Sequence, residues 1–128
     1  MKQELFFIDQ NGEEVEAPIF APLLQVLLPA FMVNAEDIRI SCSRSEPAVI
    51  SGTYTKGGKT FPLIIQHHFH WGDVFVRVKI LAGLSIAREA HQSGNIAVQF
   101  KGDAIPFSAE TTENEKADTL RLKLLAQR

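Results

Sequence analysis

Cysteine is nearly absent. Cys42 stands alone among 128 residues, so no disulfide can form within the chain and a secreted, disulfide-stapled scaffold is excluded. Tryptophan and tyrosine occur once each. No apolar run reaches the ~20 residues that a membrane-spanning helix needs. The candidate stretch, Ile19–Val33, contains Gln25 and is broken by Pro22 and Pro29, so no membrane partner is expected. Neither sign of charge dominates: 13 Lys and Arg face 15 Asp and Glu, a formal net charge of −2. The resulting pI of 6.1 lies well below the value above ~9 that marks a dedicated nucleic-acid module. The opening MKQELFFIDQ carries Glu4 and Asp9 and lacks the layout of a signal peptide, so a cytoplasmic chain is expected.

What is present fits one folded domain over residues 1–128. Hydrophobic residues make up 45% and charged residues 22%, ordinary globular values that argue against disorder. A chain of this length can bury ~65–70% of its unfolded surface and needs no metal or disulfide to fold. The small net charge conceals an uneven distribution. Residues 1–37 hold seven acids and one base, residues 38–109 eight bases and four acids, and residues 110–128 four of each. An acidic first third followed by a basic middle hints at self-association or an anionic partner.

Periodicity predicts mostly strands. Residues 3–8 read as a strand, Asn11-Gly12 as a turn, and Val15 as the start of a return strand. Leu23, Leu24, Val26, Leu27 and Leu28 predict a helix, with Pro22 in its first turn and Pro29 ending or kinking it. Apolar residues on all its sides bury it, in the chain's own core or against a partner. Ile38–Arg44 and Val49–Thr55 alternate as strands, and Lys56-Gly57-Gly58-Lys59 reads as a hairpin turn. Thr60–Trp71 and Val74–Leu81 read as strands, Ser85–His91 as a short helix, and Ser93-Gly94-Asn95 as a turn before a strand Ile96–Phe100. Residues 108–118 read as a polar loop, and Leu120, Leu122 and Leu124 as the inward side of a last strand. The fold class is α+β: a mainly antiparallel sheet, open or curled toward a barrel, with one apolar helix near the N-terminus.

The most specific string is His67-His68-Phe69-His70-Trp71-Gly72. On a strand, His68 and His70 would point to one face about 6.6 Å apart. Two imidazoles at that spacing reach one Zn²⁺ at ~2.1 Å each, with Cys42 and Asp73 as further donors. His68-Phe69-His70-Trp71-Gly72 resembles the strand that supplies two zinc ligands in α-type carbonic anhydrases, and Glu89-Ala90-His91 is similar to that family's third ligand and its supporting acid. The resemblance covers these residues alone. It implies zinc on His68, His70 and His91, and a zinc-dependent hydrolase or lyase. The alternative is a histidine-rich strand end without metal, and no other cofactor is implied.

Two other strings are set aside. Gly58-Lys59-Thr60 resembles the tail of a phosphate-binding loop, but Thr53 stands where that motif needs glycine, and a strand follows instead of a helix. Gly83-Leu84-Ser85-Ile86-Ala87 resembles a nucleophile elbow, yet the chain is too short for the large parallel sheet that holds one; Ser85 reads better as a helix cap. Cys42 shares a strand face with Ile38 and Ile40 and reads as a small core residue rather than a reactive thiol.

One feature recurs across segments. Arg39, Phe75, Arg77, Lys79, Lys101, Arg121 and Lys123 all fall on the polar parity of their expected strands. If those strands are neighbours, they make a basic face with an aromatic on it, suited to an anionic partner such as single-stranded nucleic acid. Lys and Arg are also the usual residues on the wet side of an antiparallel sheet. No complete catalytic constellation appears. The leading expectation is therefore a non-catalytic binding or adaptor module, homo-oligomeric or bound to another protein. Single-strand nucleic-acid binding and the zinc enzyme are the alternatives.

Overall fold

Asn11-Gly12 turns the chain as its sequence predicts. Gly12 adopts φ +83°, a left-handed conformation that glycine accepts at little cost, and the Asp9 carboxylate accepts hydrogen bonds from the Asn11 and Glu13 amides. The hairpin so closed joins β1 (Leu5–Ile8) to β2 (Glu14–Val15). The computed structural model describes residues 5–15, 18–65 and 70–125. After a single helical turn, Pro18–Phe20, come α1 (Ala21–Met32), β3 (Asp37–Ser43), β4 (Ile50–Lys56) and β5 (Lys59–Pro62). Then follow α2 (Trp71–Leu81), β6 (His91–Phe100), β7 (Asp103–Glu113) and β8 (Ala117–Leu124).

The strands form one antiparallel sheet in the order β2-β1-β6-β7-β8-β3-β4-β5. It is open, ending in β2 on one edge and β5 on the other, so it does not close into a barrel. The order helix–strand–strand–strand occurs twice, as α1-β3-β4-β5 and α2-β6-β7-β8, and the two units join where β8 pairs with β3.

Both helices pack on one face of this sheet. The α1 segment buries Leu23, Leu24, Val26, Leu27, Ala30 and Phe31, and the Phe31 ring lies 6.4 Å from Phe100 and 5.9 Å from Phe107 on the sheet. Full burial of each large apolar side chain contributes ~1.5–3 kcal/mol, which is why this stretch is committed to the chain's own core. Pro22 sits in the first turn as expected, whereas Pro29 lies inside the helix and does not end it. From the sheet, Phe7, Ile38, Ile40, Ile96, Val98, Phe107, Ala109, Leu120 and Leu122 complete the core.

Five segments depart from the sequence reading. Residues 74–81 form a helix, not a strand. Their Val74, Val76, Val78 and Ile80 alternate, but the buried set is Trp71, Val74, Phe75, Val78, Lys79 and Leu81, a helical stripe. The strand expected over Thr60–Trp71 ends at Pro62, with one further bond from the Leu63 amide to the Gly52 carbonyl at 2.9 Å, and Trp71 already begins α2. Residues 108–118 are not a loop: β7 runs to Glu113, β8 resumes at Ala117, and only the turn between them is irregular. Likewise Ser93-Gly94-Asn95 lies inside β6, and Ser85–His91 is a bend running into β6 rather than a helix.

Candidate interaction face

Strand registers turn the sequence into rows across the sheet's second face, opposite the helices. One row is Ser93–Glu110–Arg121–Arg39–Thr53, from β6 to β4. Beside it run His91–Thr112–Thr119–Ser41–Ser51 and Asn95–Ser108–Lys123–Asp37–Thr55. A fourth row is apolar: Ile8, Ala97 and Pro106 are successive partners, and the Leu125 amide donates to the Pro106 carbonyl at 3.1 Å. Residues of all four rows are half-buried or exposed.

This face is an alternating lattice of charge and hydroxyl. Arg121 donates to both Asp37 oxygens, Nε at 3.0 Å and Nη2 at 2.8 Å. Arg39 approaches the same carboxylate at 3.5 Å, and Ser41 shares a hydrogen bond with Thr119 at 2.8 Å. Burial alone would raise the Asp37 carboxyl, but the hydrogen bonds and charges of Arg121 and Arg39 outweigh it and hold it below its ordinary value. Arg121 is pushed up in turn, chiefly by its hydrogen bond to Asp37, with burial opposing and the Asp37 and Glu110 charges adding. Glu110 is paired more loosely, with His91 Nε2 at 3.6 Å.

The basic face expected from strand parity is thus only partly assembled. Arg39, Arg121 and Lys123 share the outer surface of β3 and β8. Phe75, Arg77 and Lys79 do not, because they lie on α2. Phe75 is buried and stacks on Trp71 at 5.0 Å. Lys101 occupies the β6–β7 turn at φ +50°, its ammonium 5.3 Å from the Phe100 ring centre. Two acids that parity would have revealed, Asp37 and Glu110, stand among the arginines. Reading 108–118 as a loop hid Glu110, and with it the alternation of sign.

Lys79 belongs to a second assembly. Its ammonium is 2.6 Å from Glu113 and 3.2 Å from the Ala87 carbonyl, which it donates to. Glu113 also accepts from the Glu89 amide and lies 3.7 Å from Arg88. Arg88 continues to Asp118 at 3.3 Å, and Asp118 to Arg44 at 2.8 Å. Five charges of alternating sign therefore tie α2 to the ends of β7, β8 and β3. This is a structural strut: none of its members adjoins an activated nucleophile.

His68 lies outside the described residues. His70 precedes the first turn of α2 instead of sitting on a strand, and His91 opens β6 beside Glu110. Among the described residues no group of three or more His, Cys, Asp or Glu is placed to hold a metal ion. Cys42 is half-buried; burial pushes its thiol up, the Asp118 carboxylate adds to this, and Arg44 opposes it. Ser85 is held in a bend. Its backbone amide donates to the Gln92 side chain and its carbonyl accepts from it, both at 2.9 Å, while its hydroxyl accepts from the Ala87 amide.

No protein-family model matches this chain, and no curated protein matches it. No helix among the described residues is long and apolar enough to cross a membrane.

Proposed function

We propose that this chain is a non-catalytic protein-binding module that self-associates, and that the outer face of its sheet is the docking surface. The apolar segment 19–33 gives a partner little support, because α1 buries Leu23, Leu24, Val26, Leu27, Ala30 and Phe31 in the chain's own core and exposes Met32 and Val33 at its end. What carries the reading instead is the row Ile8–Ala97–Pro106–Leu125 beside three polar rows on one open sheet face. An apolar strip supplies buried area to a protein interface, and polar rows beside it fix register and partner choice. The chemistry of the polar rows favours a protein over a phosphate backbone. Asp37 already neutralises Arg121, Glu110 repels phosphate from the same row, and the aromatic expected to stack a base is in the core.

Light scattering at micromolar concentration tests this. The expected mass is a multiple of 14.2 kDa, and a strict monomer removes the self-association reading. Electrophoretic mobility with single-stranded DNA and RNA at two salt concentrations tests the rival. Salt-sensitive retention that is lost on Arg39→Ala would favour nucleic acid.

A further inference from the structure

The outer rows are not arranged at random about the middle of the sheet. In the order β2-β1-β6-β7-β8-β3-β4-β5 the centre falls between β7 and β8, with four strands on each side. Across that centre stand Pro106 and Leu125, Ser108 and Lys123, Glu110 and Arg121, and Thr112 and Thr119. Each pair joins two groups that suit one another: apolar with apolar, hydroxyl with ammonium, acid with base, hydroxyl with hydroxyl.

We propose that two copies pack outer face to outer face about a two-fold axis running along the strands between β7 and β8, with Glu110 of each copy facing Arg121 of the other. This rests on the self-association reading above and specifies its geometry. Such an axis exchanges β7 with β8 and keeps every row at its own height. Pro106 then meets Leu125 of the second copy, Lys123 meets Ser108, and Thr112 meets Thr119. The two Glu110 and two Arg121 side chains form a square of alternating sign at the centre.

Other placements fit the charges less well. An axis over β8 lays Arg121 on Arg121 and Lys123 on Lys123. An axis across the strands at mid-sheet lays the apolar row on a polar row. The area also suits. Seven inter-strand steps of ~4.8 Å by strands of ~20 Å give roughly 700 Å² per copy, close to the ~800 Å² a stable interface buries on each side. Stacked sheets lie ~10 Å apart, and Ser, Thr, Ala and Pro are small enough to allow that approach.

Three measurements decide it. By sedimentation, the wild-type protein is expected at twice the 14.2 kDa of one chain. Glu110→Arg, which removes the charge pair at both symmetry-related places and sets arginine against arginine, should raise the dimer dissociation constant at least ~10-fold. Leu125→Glu, at a site that is 37% exposed, should act in the same direction with an unchanged circular dichroism spectrum. In a Cys42→Ala background, nitroxide labels on Thr112→Cys should lie within ~20 Å of each other between copies, and labels on Lys59→Cys beyond ~30 Å.

A dimer indifferent to both substitutions, or one with the label distances reversed, overturns this two-fold arrangement and leaves self-association standing. A monomer at high micromolar concentration overturns both.

Discussion

The Lys79 ammonium sits 2.6 Å from the Glu113 carboxylate, with the lysine side chain 2% exposed and the glutamate 7%. A lysine on the core side of an apolar helix is tolerable only with such a partner, because an unpaired buried charge is strongly destabilising. The ammonium also lies 5.1 Å from the Phe75 ring centre, so its remaining surroundings are favourable.

Breaking this pair from one side should therefore cost more than removing both charges. Lys79→Met leaves Glu113 buried without its ammonium and should lower stability by about 3 kcal/mol in urea denaturation. Adding Glu113→Gln, whose amide oxygen can still accept from the Glu89 amide, should recover at least half of that loss. Simple additivity of the two losses would show that the charges act independently.

Thr111 presents the opposite situation. It is fully buried on the inner side of β7, and its hydroxyl has no hydrogen-bond partner among the described residues. Thr111→Val replaces an unsatisfied polar atom with a methyl of similar size. It should be neutral or stabilising by up to about 1 kcal/mol. A clear drop in thermal midpoint would mean that the hydroxyl is in fact partnered.

Acid should weaken the outer face through Asp37. Its carboxyl titrates below the ordinary value because the ion pairs with Arg121 and Arg39 outweigh burial. A depressed folded-state pKa gives stability that is complete above the unfolded value, near ~3.9, and is lost as pH falls through the folded value. Asp37→Asn should therefore cost about 1 kcal/mol or less near neutrality, as befits a partly exposed pair, and the difference from wild type should vanish in strong acid. A difference that stays constant from neutral pH to strong acid would remove the ion pair as its cause.

Gly94 lies inside β6 where the end of α2 presses on the sheet. A Cβ there would collide with the carbonyl oxygen of Ala82, which is backbone and cannot step aside. Gly94→Ala should cost about 1–3 kcal/mol by chemical denaturation, whereas Gly72→Ala, with open space around it, should cost none by collision. Equal stability of the two variants would contradict the close helix–sheet approach.

Local chemistry made much of the architecture legible. Asn11-Gly12 and Gly57-Gly58 mark their hairpins because left-handed backbone favours glycine, and Pro22 marks the start of α1. Ile38/Ile40 and Leu120/Leu122 mark inward faces because strand side chains alternate. The sequence alone therefore determined the α+β class, the first helix and the antiparallel hairpins.

Other features were decided by the tertiary structure. Val74, Val76, Val78 and Ile80 satisfy a strand period while Val74, Phe75, Val78 and Leu81 satisfy a helix period, and packing against Gly94 and Glu113 selected the helix. Residues 108–113 are polar enough for a loop, yet pairing with β6 and β8 on both sides makes them the centre of the sheet. Which charges share a face depends on strand order, a long-range property with no local signal. That order set Asp37 beside Arg39 and Arg121, turned an expected basic surface into an alternating one, and lined up Ile8, Ala97 and Pro106 from three strands with Leu125 just past the end of β8.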